Sequence, residues 1–153
     1  MLARAIHVLA LVHWIGGLSA VTTIVLPRAR ALPNPTDAFA AFDAFERRFA
    51  QQVRVSIFLV GLSGVYMIIK LDGWDRFGQA SFWWLDLMVA VWALFALMVY
   101  VLEPLVIHRL FHDFALRQKD RAFALAARFH LVALCVSAVA IIAGVLGANG
   151  GLP

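Results

Sequence analysis

Two histidines in the first apolar stretch of the chain are the residues best suited to carry chemistry. The stretch covers residues 6–17, reads IHVLALVHWIGG, and contains His7 and His13. An imidazole in a long apolar helix is costly to bury, so it usually has a partner or a function. Neutral imidazole is also a common ligand of haem iron and of copper. We therefore take His7 and His13 as candidate metal ligands.

A third histidine, His130, lies in the last apolar stretch. At about 1.5 Å of rise per residue, His13 lies roughly 12–14 Å inside a membrane and His7 only a few ångströms inside. His130 lies roughly 9–11 Å from the opposite face. A haem needs one or two imidazoles aimed into a gap between helices. The sequence therefore predicts an axial pair formed by His13 and His130, with His7 at a second site nearer the surface.

Three further residues extend the candidate site. Trp14 and Gly17 follow His13 and are candidate cofactor-binding residues. A porphyrin needs small residues, such as Gly17, where it comes near the backbone. Asp86 is the candidate catalytic residue, since it could accept a hydrogen bond from His7 or take part in proton movement. Each has a structural alternative: glycine is common where membrane helices pack, and Asp86 could be an interfacial carboxylate.

Other potential ligands form weaker patterns. His108 and His112 are four residues apart and share a helix face, but the arginines around them favour a solvated surface over a metal site. Three methionines could bind copper as soft ligands. Their spacing forms no motif, and methionine in an apolar helix is usually a packing residue; they are Met67, Met88 and Met98.

The composition indicates that these residues lie in a membrane. Hydrophobic residues make up 63% of the 153 positions and charged residues 14%, against about a quarter charged in soluble domains. A soluble fold of this size could not bury so much apolar surface. The net charge of +4 includes no basic run with interleaved polar residues, so nucleic acid is a poor partner. The single Cys135 excludes an internal disulfide and a cysteine-based zinc site.

The apolar stretches predict an all-α integral membrane protein with one domain over residues 1–153. Each stretch is long enough for a hydrocarbon core of about 30 Å, and Pro27 and Glu103-Pro104 are expected to end or kink two of them. An amphipathic helix over residues 36–52, beginning at Asn34-Pro35, should run on into the second span. The four predicted transmembrane helices of the bundle are 5–26, 53–69, 82–102 and 123–146.

The basic residues predict the orientation of the bundle. Of the 13 Lys and Arg residues, ten lie on the side of the loops after spans one and three, and the other side has the remaining three. By the positive-inside rule these two loops, with their amphipathic helical extensions, face the cytoplasm. Both termini should then be periplasmic in a bacterial inner membrane. Arg54 and Glu103 lie at the same level and are expected to form an ion pair.

The first half of the chain resembles a known family. The elements Arg4-Ala5-Ile6-His7, Trp14, Gly17-Leu18 and Leu26-Pro27-Arg28 resemble the opening of the HemJ-type protoporphyrinogen oxidases, and Phe45-Glu46-Arg47-Arg48-Phe49 resembles their next motif. The same layout is similar to the CopD-type copper-resistance membrane domain. The resemblance covers about the first 70 residues. It implies a four- or five-helix membrane protein that binds haem b, with His7 as a candidate ligand.

The second half departs from that family. The family has a lysine a few residues after its third-helix tryptophan, where this chain has Met88, and Arg128-Phe129-His130 replaces its Asn-Glu-Pro segment. We therefore expect a haem b membrane protein that passes electrons from a small donor to quinone or another acceptor. Porphyrinogen is only one candidate for the donor. The alternatives are a CopD-like copper transport or resistance protein and a non-catalytic subunit of a membrane complex. Self-association into a homo-oligomer is compatible with each.

Overall fold

The chain folds into a bundle of long helices. The computed structural model describes the backbone of residues 1–151 and, within that range, the side chains outside 106–109. Within residues 1–151 there are helices and no strand. The α-helices are α1 Leu2–Ala20, α2 Leu26–Ala31, α3 Pro35–Lys70, α4 Trp83–Leu97, α5 His108–Arg117 and α6 Lys119–Ala148. π-helical turns over Val21–Val25 and Met98–Ile107 join α1 to α2 and α4 to α5.

The four predicted spans are confirmed. Four continuous helical stretches are long and apolar enough to cross a membrane, and each extends beyond its predicted limits. They are Leu2–Ala31, Pro35–Lys70, Ala80–Leu105 and Lys119–Ala148. The 36 residues of α3 rise about 54 Å, well beyond a core of about 30 Å. Its amphipathic first half therefore lies largely outside the hydrocarbon, as a direct continuation of the second span.

Neighbouring spans run antiparallel and pack through glycines. The ring of Phe49 on α3 occupies the space where Gly17 of α1 lacks a side chain. On the next pair, Trp92 of α4 lies against Gly61 of α3 and donates from Nε1 to the Ile57 carbonyl, 2.9 Å away. Because direction alternates, residues 2, 70, 83 and 148 lie at one end, here called the terminal end. The opposite end, with residues 31, 35 and 117–119, is called the basic end.

Two clusters of buried side chains fill the bundle. The central cluster is built around Trp14 and Phe95, whose rings meet edge to face with centroids 4.6 Å apart. The second cluster lies at the basic end, where Phe42 of α3 and Phe123 of α6 pack with centroids 6.0 Å apart. Phe49 contacts both clusters. The spans are therefore held together by one continuous apolar interior.

The structure corrects the two predicted proline breaks. Pro27 does not end the first helix: it lies at the first turn of α2, directly after the π-helical turn Val21–Val25. Pro104 lies inside the π-helical segment Met98–Ile107, which leads straight into α5. A π turn has wider hydrogen-bond spacing, so it can accommodate a residue that lacks an N–H without ending the helix. The predicted start of α3 is confirmed, since Asn34 Oδ1 accepts a hydrogen bond from the Thr36 amide at 2.9 Å.

The predicted ion pair between Arg54 and Glu103 is confirmed. The Arg54 guanidinium donates to Glu103 Oε2 at 2.7 Å and to the Val99 carbonyl at 3.3 Å. Tyr100 donates from its hydroxyl to the Arg54 carbonyl at 2.6 Å. Glu46 lies close enough for its charge to interact with that of Glu103. Arg54 therefore both fastens α3 to span three and offsets the repulsion between two acids.

We expect Arg54→Gln to destabilise the protein by about 1–3 kcal/mol, because it breaks a pair whose side chains are only 34% and 23% exposed and leaves two acids facing each other. Glu103→Gln should cost less, because it also removes the repulsion with Glu46. Unfolding of the detergent-solubilised protein, followed by circular dichroism, measures both effects. Arg128→Gln at an exposed position is the control. Equal losses for Arg54→Gln and Glu103→Gln would contradict the asymmetry.

We expect Gly61→Val to destabilise the bundle by about 1–3 kcal/mol, the usual cost of overpacking. The added Cβ would lie 2.5 Å from Cζ2 of Trp92, so the indole must move and lose its hydrogen bond to Ile57. Ala90→Val, on the exposed face of α4, adds two methyl groups without a contact in the chain. The same unfolding assay compares the two variants. Equal stability would show that α4 does not pack on Gly61.

Candidate functional site

His7 lies in the interface between α1 and α3, near the terminal end of the bundle. Its Nδ1 is 2.9 Å from the hydroxyl oxygen of Ser63, and Ser63 is 5% exposed. The Val60 carbonyl is a further acceptor close to the ring. Gly64 lies beside the imidazole, where a Cβ would be 3.7 Å from Cε1. The structure therefore places this predicted ligand inside the bundle, against a residue without a side chain.

The hydrogen bonds of Ser63 determine which nitrogen of His7 carries the proton. Ser63 has one hydroxyl hydrogen, and its oxygen is in bonding range of the Leu59 and Val60 carbonyls of its own helix. A carbonyl can only accept, so the hydroxyl hydrogen is directed to the helix and the hydroxyl oxygen accepts from His7 Nδ1–H. The lone pair of the neutral ring is then on Nε2. A second residue that fixes the tautomer in this way is typical of histidines that bind metals.

His13 is placed differently from His7. Its side chain is exposed on the outward face of α1, and no hydrogen bond to it is found among the described residues. The helix surface nearby is open as well, since a Cβ added at Gly16 would meet no atom within 4 Å. The predicted axial pair of His13 and His130 within one chain is therefore not preformed. The reason is helix geometry: His13 is six positions after His7, so the two rings point roughly 120° apart and only one of them can face the bundle.

His130 lies half buried on α6. Its Nδ1 donates to the Ala126 carbonyl one turn earlier, at 2.8 Å, and its ring meets Phe129 edge to face at 5.6 Å between centroids. The ring is one turn from the buried Ala133 of the central cluster. His130 thus also has a free Nε2 lone pair, but its orientation depends only on its own helix. Its role as a ligand stays a prediction.

Trp14 and Gly17, predicted to bind the cofactor, are in contact with other side chains of the bundle. Trp14 is 4% exposed and packs edge to face on Phe95. The space next to Gly17 is filled by the Phe49 ring. Both residues therefore hold helices together in this structure, Trp14 through Phe95 of α4 and Gly17 through Phe49 of α3. Neither leaves a gap next to His13.

The hydrogen bond predicted between Asp86 and His7 is not formed. The Asp86 carboxylate accepts instead from the Gly78 amide, with its two oxygens 3.2 and 3.4 Å away. Gly78 has a φ of +74°, a backbone conformation that suits glycine. Asp86 therefore ties down the loop that precedes α4, since that loop folds back over the first turn of the helix. Its predicted part in proton movement is untested.

The remaining candidates lie apart from His7. The side chain of His108 is outside the described part of the structure, and His112 contacts Asp113 at 3.2 Å on an exposed surface. Cys135 is exposed on α6, so it is not the buried packing residue that its apolar surroundings suggest. Among the described residues, no three His, Cys, Asp or Glu side chains come together in a group that could hold a metal ion.

An open cleft of about 390 Å³ lies at the basic end, far from His7. Its wall is mainly apolar, and Arg30 and Asp120 form a 3.4 Å ion pair across its rim. The other lining residues are Leu26, Pro27, Ala31, Phe123 and Ala127. The cleft contains none of the residues predicted to carry chemistry, so it adds nothing to the candidate site.

Ser63, the hydrogen-bond partner of His7, is the residue of the candidate site that sequence reasoning missed. A signal was present, because antiparallel packing brings the start of span one level with the end of span two. His7 lies five positions after Leu2, and Ser63 lies seven positions before Lys70. Ser63 is one of two serines in the second span, with Ser56. Serine in a membrane helix commonly donates a hydrogen bond to a carbonyl of its own helix. This local bond explains a serine without a partner on another helix, so the contact with His7 was not expected from the sequence.

Comparison with family models, with curated proteins and with solved structures gives no match for this chain.

We expect His7 to be in the Nδ1–H tautomer, because Ser63 accepts at that nitrogen. Nitrogen and carbon chemical shifts of histidine-labelled protein, without added metal or haem, report the tautomer. Ser63→Ala should remove the preference. Ser137→Ala is the matched control, since Ser137 is equally buried, 3% exposed, and among the described residues its hydroxyl donates to the Ala133 carbonyl alone. An Nε2–H signal from His7 in the wild-type protein would contradict the assignment.

Proposed function

We propose that this chain is a haem b-binding redox protein of a bacterial inner membrane and that His7 is a ligand of the haem iron. The single observation that supports the proposal is the His7–Ser63 hydrogen bond. It holds one imidazole in the bundle interior, with its Nδ1 occupied and its Nε2 lone pair available. The resemblance of residues 4–7 to the HemJ-type opening points to the same histidine.

The donor set favours haem over a bare metal ion. A protein site for a bare transition metal usually needs three or four protein donors, and the described part of the chain brings no three His, Cys, Asp or Glu side chains together. Haem supplies four nitrogen donors of its own, so one or two side chains suffice. The chemistry of the residues present therefore fits haem.

The chain's own residues would bind and orient the cofactor. His7 would hold the iron, and Ser63 would fix the ring and increase the electron density on Nε2. Gly64, which has no side chain, lies beside the imidazole. The apolar interior would exclude water. The bound haem supplies one-electron redox chemistry, which no side chain here provides.

The position of His7 near one membrane surface indicates which redox partners could reach the cofactor. A cofactor near the terminal end lies close to the membrane surface, so a small donor could reach it from the periplasm and a quinone from the bilayer. Porphyrinogen is one such donor, although the position of the HemJ-type lysine is taken by Met88. The ten-to-three distribution of basic residues favours the basic end in the cytoplasm.

Copper transport is the second candidate function. The observation that favours it is the presence of methionine and histidine in the same bundle. Copper-handling proteins present such ligands along a path. Met88 packs against Gly144, where a Cβ would overlap its sulfur atom, and this contact is typical of a methionine that fills a gap.

We expect the wild-type protein, purified in detergent after expression with ample haem supply, to show a Soret band and reduced α and β bands. His7→Ala should lose most of the bound haem, because it removes the ligand. His112→Ala, on the exposed surface of α5, is the matched control and should bind haem like the wild type. Optical spectra and the ratio of haem to protein measure the outcome.

The absence of a Soret band in the wild-type protein would overturn the haem proposal. Stoichiometric copper in metal analysis of the same sample would favour the second function. A haem that survives in His7→Ala but is lost in His130→Ala would move the ligand to α6.

A further inference from the structure

We propose that the open cleft at the basic end binds one anionic phospholipid, with the lipid phosphate at Arg30 and an acyl chain along the apolar floor. The inference is independent of the proposed haem binding. It is carried by the polarity of the cleft, which changes from apolar to charged over about 10 Å, the rise from residue 127 back to residue 120 of α6. A phospholipid makes the same change between its acyl chains and its headgroup.

The cleft lies where spans one and four leave the hydrocarbon. The predicted spans end at residue 26 and begin at residue 123, and both Leu26 and Phe123 line the cleft. The helices continue past these points, to Ala31 on α2 and back to Lys119 on α6. Pro27 and Ala31 are exposed, so the cleft opens on the outside of the bundle. The charged rim therefore lies at the level of the headgroups, in the interfacial region of about 5–8 Å beside the core.

Apolar side chains form the inner part of the cleft. Leu26 and Phe123 are each 1% exposed and form its floor. Ala31 and Ala127 line it from the two helices, and their short side chains leave room between α2 and α6. The volume of about 390 Å³ lies in the range of about 300–1,000 Å³ that is usual for sites of small ligands. An acyl chain is the ligand group that suits such a lining in a membrane.

Arg30 provides the donors for a phosphate at the rim. Its Nε donates to Asp120 Oδ1 at 3.4 Å, and the two side chains are 50% and 73% exposed. A pair this long and this exposed contributes little to stability. Among the described residues, no hydrogen bond from the two terminal nitrogens of Arg30 is found. The planar guanidinium can therefore bind a phosphate through the nitrogens that Asp120 leaves free.

Lys119 adds a second positive charge beside the rim. Its Nζ donates to the Leu32 carbonyl at 2.6 Å, and Leu32 directly follows the lining residue Ala31. The ammonium has three hydrogens, so two stay available for a phosphate. Arg30 and Lys119 together outweigh the one acid, Asp120. This excess of positive charge favours an anionic headgroup over a zwitterionic one, as in other basic pockets between membrane helices.

Native mass spectrometry of the detergent-solubilised protein tests the proposal, because it counts bound lipids. The probes are phosphatidylglycerol and phosphatidylcholine with the same acyl chains. The wild type should bind one phosphatidylglycerol in preference to phosphatidylcholine. Arg30→Gln should weaken phosphatidylglycerol binding about fivefold, the usual effect of one basic residue near a membrane surface. Arg48→Gln, an exposed position of α3 in the same half of the bundle, is the matched control and should bind like the wild type.

Two further variants separate lipid binding from a structural role of the ion pair. Asp120→Asn removes the acid that competes with phosphate for Arg30, so it should bind phosphatidylglycerol more tightly than the wild type. If the pair served only to join α2 and α6, loss of either partner would have the same effect. Ala31→Phe fills the cleft from an exposed position and should abolish the preference with both charges intact. Circular dichroism checks that each variant is folded.

Several results would overturn the proposal. They are equal binding of the two lipids by the wild type, equal effects of Arg30→Gln and Arg48→Gln, and unchanged lipid binding in Ala31→Phe. Tighter binding of phosphatidylethanolamine, whose ammonium would pair with Asp120, would contradict the anionic preference. Displacement of the bound lipid by millimolar inorganic phosphate would show that the site takes free phosphate and not a lipid. If Arg30→Gln does not fold, Asp120→Asn and Ala31→Phe decide the question.

Discussion

The need to satisfy polar groups in hydrocarbon determines how this bundle is built. A buried imidazole without a hydrogen bond costs about 2–7 kcal/mol, and the bond from His7 to Ser63 removes that cost for one nitrogen while leaving the other free. The bond also fixes the relative height of α1 and α3. The position of the candidate ligand and the packing of the first two spans are therefore consequences of one interaction.

Close helix approach depends on a few glycines, each matched to one large side chain. Phe49 packs on Gly17, Trp92 packs on Gly61 and Met88 packs on Gly144. In a membrane there is no hydrophobic drive between helices, so van der Waals contact of this kind carries much of the packing. Aromatic partners fix their helices rigidly. The methionine partner, Met88, is the flexible one.

Most of the architecture could be predicted from the sequence, and less of the site. Span length and hydropathy predict four membrane helices, and the cap formed by Asn34 and Pro35 predicts the start of α3, because these signals are local. The helical path through Pro27 could not be predicted, since it depends on a π turn that no residue type specifies. From the sequence, the cost of burying an imidazole predicted a partner for both His7 and His13. In the structure only His7 of these two faces the interior. The direction of a side chain depends on which face of its helix is covered, and this requires the bundle.

The two ends of the bundle differ in the contacts that hold the helices together. The basic end contains the phenylalanine cluster and the Arg54–Glu103 pair, and a substitution there acts on the whole fold. At the terminal end, His7 bonds to Ser63 and lies beside Gly64, and Trp84 packs on Gly147. Trp14 and Phe95 form the layer between them. A cofactor bound at His7 would stabilise the folded bundle, because it would bind the folded state and not the unfolded one.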